Sequence, residues 1–138
     1  MTSVFNIAEY INNRFGRLTK IKLQKLLYFC QAWHLGIYGS PLIDADFIAW
    51  PKGPAIKELH ESMHETSKLV PIKIKNSDPY KVSDKDADFI EKILSKYGSM
   101  SKDDLVELSH KDTSWKNTKR NNIISKEEIK SIYELREW

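Results

Sequence analysis

Residues 20–38 read KIKLQKLLYFCQAWHLGIY, and this stretch decides the fold. Its first turn is basic, with Lys20, Lys22 and Lys25. Beyond that turn nearly every face is apolar or aromatic. A helix apolar along one stripe lies on a core; one apolar all round is enclosed by other elements. The stretch therefore predicts a central, enclosed helix, about 29 Å long at the standard rise. Both ends carry signals. Thr19 stands at the N-cap, with Leu18 and Leu23 at the two positions of a hydrophobic staple. Gly39 follows the last turn and can take the left-handed conformation that stops a helix.

Upstream, Val4, Ile7, Ala8, Ile11 and Phe15 fall at helical spacing, which predicts a helix over Val4–Arg14 capped by Ser3 and ended by Gly16. Downstream, residues 40–53 have no helical period. Within them Phe47-Ile48-Ala49-Trp50 reads as a short strand or extended segment. Pro54 suits the first turn of a helix running to about His64. Val70 to Lys75 alternates, and Pro71 restricts it to a sheet edge, with Tyr80-Lys81-Val82 as the partner. Three capping boxes then follow: Ser83 with Asp86, Ser101 with Asp104, and Ser125 with Glu128. Gly98 closes the first of these helices, and the last is expected to run over residues 125–138. The fold class is mainly α (α+β): a compact multi-helix domain around a central buried helix, with a small β element.

At 138 residues the chain is read as one domain, 1–138. Such a length buries roughly two thirds of the unfolded surface, so neither a disulfide nor a metal is required. The one cysteine, Cys30, sits inside the central helix and reads as a small buried hydrophobe. A lone cysteine fits a reducing cytosol, and the N-terminus lacks a secretion pattern, so a cytoplasmic location is expected. No run of 18 apolar residues argues for a membrane span. A net charge of +3 is too small to argue for nucleic acid by itself. No cofactor is expected, and the oligomeric state, an oligomer included, is left open.

Four constellations invite a chemical reading. His60-Glu61-Ser62-Met63-His64 matches H-E-x-x-H, in which two histidines on one helical face hold zinc and the glutamate acts on a bound water. That alternative, a zinc peptidase using His60, Glu61 and His64, is opposed by the charged flanks Glu58 and Glu65. The three-histidine extension also fails, because Ser67 and Val70 stand where glycine and histidine are needed. Ser109, His110 and Asp112 suggest a triad, but neighbours on one helix end point in different directions. Gln24 and Gln31 are polar positions on the face of the central helix that carries Tyr28, and buried amides need partners. They are expected to brace the 47–54 segment or shape a groove beside it. Finally, Lys111, Lys116, Lys119 and Arg120 form a basic cluster that reads as a solvated loop.

The central helix and the block after it carry a resemblance. Thr19-Lys-x-Lys-Leu-Gln-Lys-Leu-Leu-Tyr-Phe-x-Gln-Ala-Trp33, then Gly39, Pro41-Leu42, and Phe47-x-Ala49-Trp50-x-x-Gly53-Pro54 resemble the Panacea domain of SocA-like antitoxins. Lys96-Tyr97-Gly98, Leu105, Leu108, Ser109-His110 and Ser114-Trp115-Lys116 resemble its second half. The likeness spans residues 4 to about 116. It departs at Ala55-Ile56 and in the 116–122 stretch. It implies a non-enzymatic, prophage-linked antitoxin that neutralises a cognate protein toxin by direct binding. A proteolytic adaptor that delivers its toxin to a protease, and a DNA-binding phage regulator, are alternatives. Partner contact is expected at Trp50, Lys52, Gly53, Pro54, His110 and Trp115. Proline and glycine stiffen the first segment, Trp50 and Trp115 offer apolar faces, and Lys52, Lys111 and Lys116 add positive charge.

Overall fold

The computed structural model describes residues 1–16, 18–63 and 74–138. Helix α2, Lys20–Tyr38, runs through the centre, and helices α1 (Val4–Phe15), α4 (Asp84–Tyr97), α5 (Lys102–Lys111) and α7 (Lys126–Tyr133) all pack on it. Its enclosure is nearly complete. Leu23, Leu26, Leu27, Tyr28, Cys30 and Ala32 are fully buried although they point to every side. Its ends behave as the sequence demands. The Thr19 hydroxyl accepts from the Lys22 backbone N–H at 3.1 Å. Gly39 is left-handed, and its N–H closes on the Leu35 carbonyl. Cys30 is buried, and desolvation pushes its thiol far above the usual range, so it is no nucleophile.

The N-terminus is held differently from expectation. Ser3 is the first flanking residue of α1, but its side chain makes no cap. Asp44 accepts from the Val4 N–H at 3.0 Å instead. Gln31 explains how Asp44 comes to be there. Its amide oxygen accepts from the N–H groups of Leu42 and Ile43, and its NH₂ donates to the Ile43 carbonyl. Thr2 then pairs with the same segment. So Gln31 braces residues 42–43 and not the 47–54 segment.

Strands β1 (Ile48–Trp50) and β2 (Gly53–Ala55) form an antiparallel hairpin in which Ala49 faces Pro54. Pro54 therefore lies in a strand, and helix α3 (Lys57–Met63) begins after it. A proline is tolerated because Ala49 turns its N–H and carbonyl the other way. They bond the Asn122 carbonyl and the Asn121 N–H, each at 2.9 Å. The basic 116–122 stretch is thus partly a backbone partner of β1 and not simply a solvated loop.

Two more expectations are corrected. Val70–Lys73 of the alternating run lie outside the described residues. Its proposed partner is not a strand, because Pro79–Lys81 form a 3₁₀ turn in which the Asp78 side chain accepts from the Tyr80 N–H. The last helix stops at Tyr133, not at residue 138. Trp138 instead folds back onto Trp33, with ring centroids 5.0 Å apart. The serine half of all three capping boxes forms: Ser83, Ser101 and Ser125 each accept from the backbone N–H three residues on, while the Asp86 carboxylate accepts from the Thr2 hydroxyl. Gly98 follows α4 in a right-handed conformation. It is glycine for space, since a Cβ there would lie 2.6 Å from the Phe15 ring.

Candidate partner-binding face

Polar side chains on α2 hold the hairpin and the region after α5 in one body. Gln24 makes a two-way bond with the Ile56 backbone, its oxygen accepting at 2.9 Å and its NH₂ donating at 3.0 Å. The next residue, Lys25, is only 2 % exposed and donates to the Pro54 carbonyl at 2.8 Å. Burial pulls its ammonium down to about 7. Tyr28 reaches the next element. Its hydroxyl donates to Asp112 Oδ2 at 2.9 Å, and that of Tyr133 donates to the same oxygen at 2.6 Å. Burial, reinforced by the carboxylate, raises both phenols well above their usual value. The other oxygen of Asp112 accepts from the N–H and hydroxyl of Ser114. Asp112 is thereby the N-cap of a short helix, α6 (Thr113–Asn117), and fixes where that helix starts.

Helix α6 presents Trp115 to the hairpin. Its indole N–H donates to the Trp50 carbonyl at 2.8 Å. The His110 ring stacks on the indole at 4.4 Å, and its Nε2 bonds the Pro51 carbonyl at 2.9 Å. The Arg120 guanidinium lies 3.7 Å over the same indole. Behind the hairpin tip, Gly53 has φ +108°, and a Cβ there would sit 2.4 Å from the Ser109 hydroxyl and 2.8 Å from Lys25 Cε.

The structure thus brings Trp50, Lys52, Gly53, Pro54, His110 and Trp115 into one patch. They are not equally accessible. Lys52 is exposed; Trp50, His110 and Trp115 are half-buried; Gly53 and Pro54 are buried supports under the surface. Ser109, His110 and Asp112 serve three separate tasks. Ser109 bonds the Val106 carbonyl, His110 the hairpin, and Asp112 the tyrosines. In the H-E-x-x-H stretch, the His60 ring packs edge-on against Trp50 at 5.1 Å, and Glu61 pairs with Lys57 at 3.8 Å. His64 lies outside the described residues. Among those described, no three His, Cys, Asp or Glu side chains gather into a metal-holding group.

Lys25 lies outside the expected Trp50–Pro54 and His110–Trp115 segments, whereas Asp112 and Ser114 fall within the second but without the capping role they play here. Lys25 had a signal, a cation within a helix apolar on all sides. For Asp112 the only trace was an Asp two residues before a Ser, the spacing of a local cap. Its two tyrosine donors come from residues 28 and 133, which no local pattern links.

The family model for the SocA-like antitoxin, Panacea domain, matches residues 23–116. That is more than half of the chain, and the protein belongs to this family. The matched span contains the hairpin, Lys25, Tyr28 and the His110–Trp115 turn; it excludes α7. No curated protein and no solved structure matches the chain. Among the described residues, no helix is long and apolar enough to cross a membrane.

Proposed function

We propose that this protein is a cytoplasmic antitoxin that neutralises a cognate protein toxin by direct, non-catalytic binding. The observation that carries the reading is the family match across residues 23–116. The geometry supports it in one respect. Two separate segments of the matched span, 50–54 and 110–115, are bonded into a single rigid patch by Trp115 and His110. A surface ordered before binding loses little conformational freedom when a partner docks. The polar groups beneath it are committed to each other, which suits support of a surface more than chemistry on a substrate.

The test is co-expression. The gene is placed with the neighbouring reading frame, and growth and co-purification are followed. Neutralisation predicts that the neighbour alone arrests growth, that this chain restores it, and that the two elute together with the toxin intact. Restored growth with the toxin degraded would replace blocking by proteolytic delivery. No rescue of any toxic neighbour would remove the antitoxin reading.

A further inference from the structure

Large apolar side chains stand exposed at the far end of α2 from the hairpin. Ile37 and Tyr38 in its last turn are 44 % and 56 % exposed, and Trp138 in the tail that follows α7 is 41 % exposed. Their neighbours join them into one face. Trp138 packs against Trp33, one helical turn before Ile37. Tyr38 and His34 both meet the Phe89 ring of α4, at 5.7 Å and 5.1 Å. Gly36 lets the Tyr133 backbone come against the same turn, so the tail sets out beside it. Exposed apolar groups gathered in this way mark a surface that meets another molecule.

Charge is divided across the face. On the α4 side, Lys85, Lys92 and Lys96 are exposed and lie over its rings: Lys85 at 5.9 Å from Tyr38, Lys92 and Lys96 at 5.2 Å and 4.6 Å from Trp138. Of the acids on that helix, Asp86 accepts from Thr2 and Glu91 pairs with Arg14, which leaves Asp84 and Asp88 against the three lysines. On the tail side, Glu134 and Glu137 are exposed, while Arg136 between them turns onto the Tyr133 ring at 4.4 Å. Among the described residues, neither these three lysines nor these two glutamates form an ion pair. The chain thus holds both halves of a set of ion pairs and does not join them itself.

We infer that this face docks a second copy of the chain about a two-fold axis, with Ile37, Tyr38 and Trp138 at its centre and Lys85 and Lys92 of one protomer meeting Glu134 and Glu137 of the other. A two-fold interface must be self-complementary, so that each flank of the patch meets the opposite flank in the other copy. An apolar, aromatic centre with lysines on one flank and glutamates on the other has that form. Interfaces between identical chains are also the more apolar kind. A lipid surface fits less well, because anionic headgroups favour a rim of positive charge and here glutamates form part of the rim. The face is separate from the Trp50–Trp115 patch. That patch is held by Gln24 and Lys25 at the start of α2, and Ile37 lies about 18 Å further along the helix at the standard rise. The dimer therefore leaves the patch open and stands independently of the antitoxin reading.

Sedimentation equilibrium of the full chain, from low to high micromolar concentration, tests this. The mass should rise from 16.1 kDa toward twice that value as concentration increases. The double variant Ile37→Glu, Tyr38→Glu should stay monomeric, with a thermal melt showing that it folds. A charge exchange provides the second arm and uses only exposed positions. Lys85→Glu with Lys92→Glu, and separately Glu134→Lys with Glu137→Lys, should each weaken self-association by about tenfold or more. An equimolar mixture of the two variants should regain the dimer, because each then supplies the sign the other lacks. Lys52→Glu should dimerise as wild type does. The inference is overturned if the chain stays monomeric at the highest concentration, or if a dimer survives in folded Ile37→Glu, Tyr38→Glu. It is equally overturned if the mixed charge variants associate no better than either alone. A monomeric chain that sediments with phosphatidylserine vesicles would assign the face to a lipid surface and overturn it as well.

Discussion

Trp115 donates its indole N–H to the carbonyl oxygen of Trp50 at 2.8 Å, across 65 residues of sequence. The bond joins an irregular hairpin to an isolated turn of helix, and it explains how each can be ordered. The hairpin has only three residues per strand, too few to stand alone. It is held on one edge by the Asn121–Asn122 backbone, beneath by Gln24 and Lys25, and at its tip by His110 and Trp115.

Separating folding from binding is therefore possible at some positions and not at others. Trp115→Ala removes a half-buried ring, a hydrogen bond and the platform for Arg120, and its thermal melt should fall clearly. Lys52→Glu alters an exposed side chain and should melt within about 0.5 kcal/mol of wild type. If Lys52 borders the toxin, the same change weakens calorimetric binding by about 2 kcal/mol or more. Normal binding by Lys52→Glu and Trp50→Ala together would move the partner face off this patch.

Leu27→Ala tests the central helix. The side chain is fully buried with α2 enclosed by four other helices, so truncation leaves a cavity. A loss of roughly 2–5 kcal/mol in denaturant melts is expected. A loss below about 1 kcal/mol would mean that the helix packs far more loosely.

This helix was the most legible part of the chain, and the reason is physical. Enclosure leaves a local trace, an apolar surface on every side, and caps act over three residues. Thr19, Ser83, Ser101 and Ser125 were readable for that reason. The candidate face was legible only in its members. Trp50 and Trp115 stood out by composition, but their bond depends on Asp112 positioning α6, and Asp112 depends on tyrosines at 28 and 133. Pro54 was misread because proline suits a helix start and also a strand position that needs no N–H. Only the third segment, 121–124, distinguishes the two.

Gly36 sets two effects against each other. Alanine is favoured over glycine within a helix by about 1 kcal/mol. Yet a Cβ at Gly36 would lie 2.7 Å from the carbonyl carbon and the Cβ of Tyr133, and backbone cannot swing aside. The clash should win. Gly36→Ala is expected to destabilise by about 1–3 kcal/mol in urea melts, the range for overpacking. Stabilisation would show that α7 can move away from α2 without loss.

Tyr133→Phe tests the buried carboxylate. Asp112 loses one of the two phenol donors to Oδ2, while ring packing on Trp33 and Tyr28 is kept. A buried acceptor deprived of a donor costs about 1–3 kcal/mol. The companion Tyr28→Phe should cost a similar amount. Because both act on one oxygen, the double variant should depart from additivity. Strict additivity would mean that the two hydroxyls act independently of Asp112.

The pH dependence of stability follows from Lys25. Its folded value is about 7, against 10.5 for an exposed lysine, because burial disfavours the charge. Between those values the unfolded chain holds a proton that the folded chain has released. Stability therefore rises with pH across that window, by up to about 1.4 kcal/mol per unit for a single proton. The contribution is fully present above the unfolded value and is lost as pH falls through about 7. Lys22, lowered more mildly by burial, adds in the same direction near the upper end. The opposing groups are Cys30, Tyr28 and Tyr133. Burial raises all three, so the folded chain keeps protons that the unfolded chain loses above about 9 for the thiol and about 10 for the phenols, and stability turns down there. The curve should climb from pH 7 to about 9, level off as the thiol offsets Lys25, and then fall. Lys25→Met keeps the length of the side chain and removes the titrating group. Urea melts of this variant should be nearly flat from pH 7 to 9 where wild type rises. An equal rise in both would assign the slope to other groups and leave Lys25 charged in the folded protein.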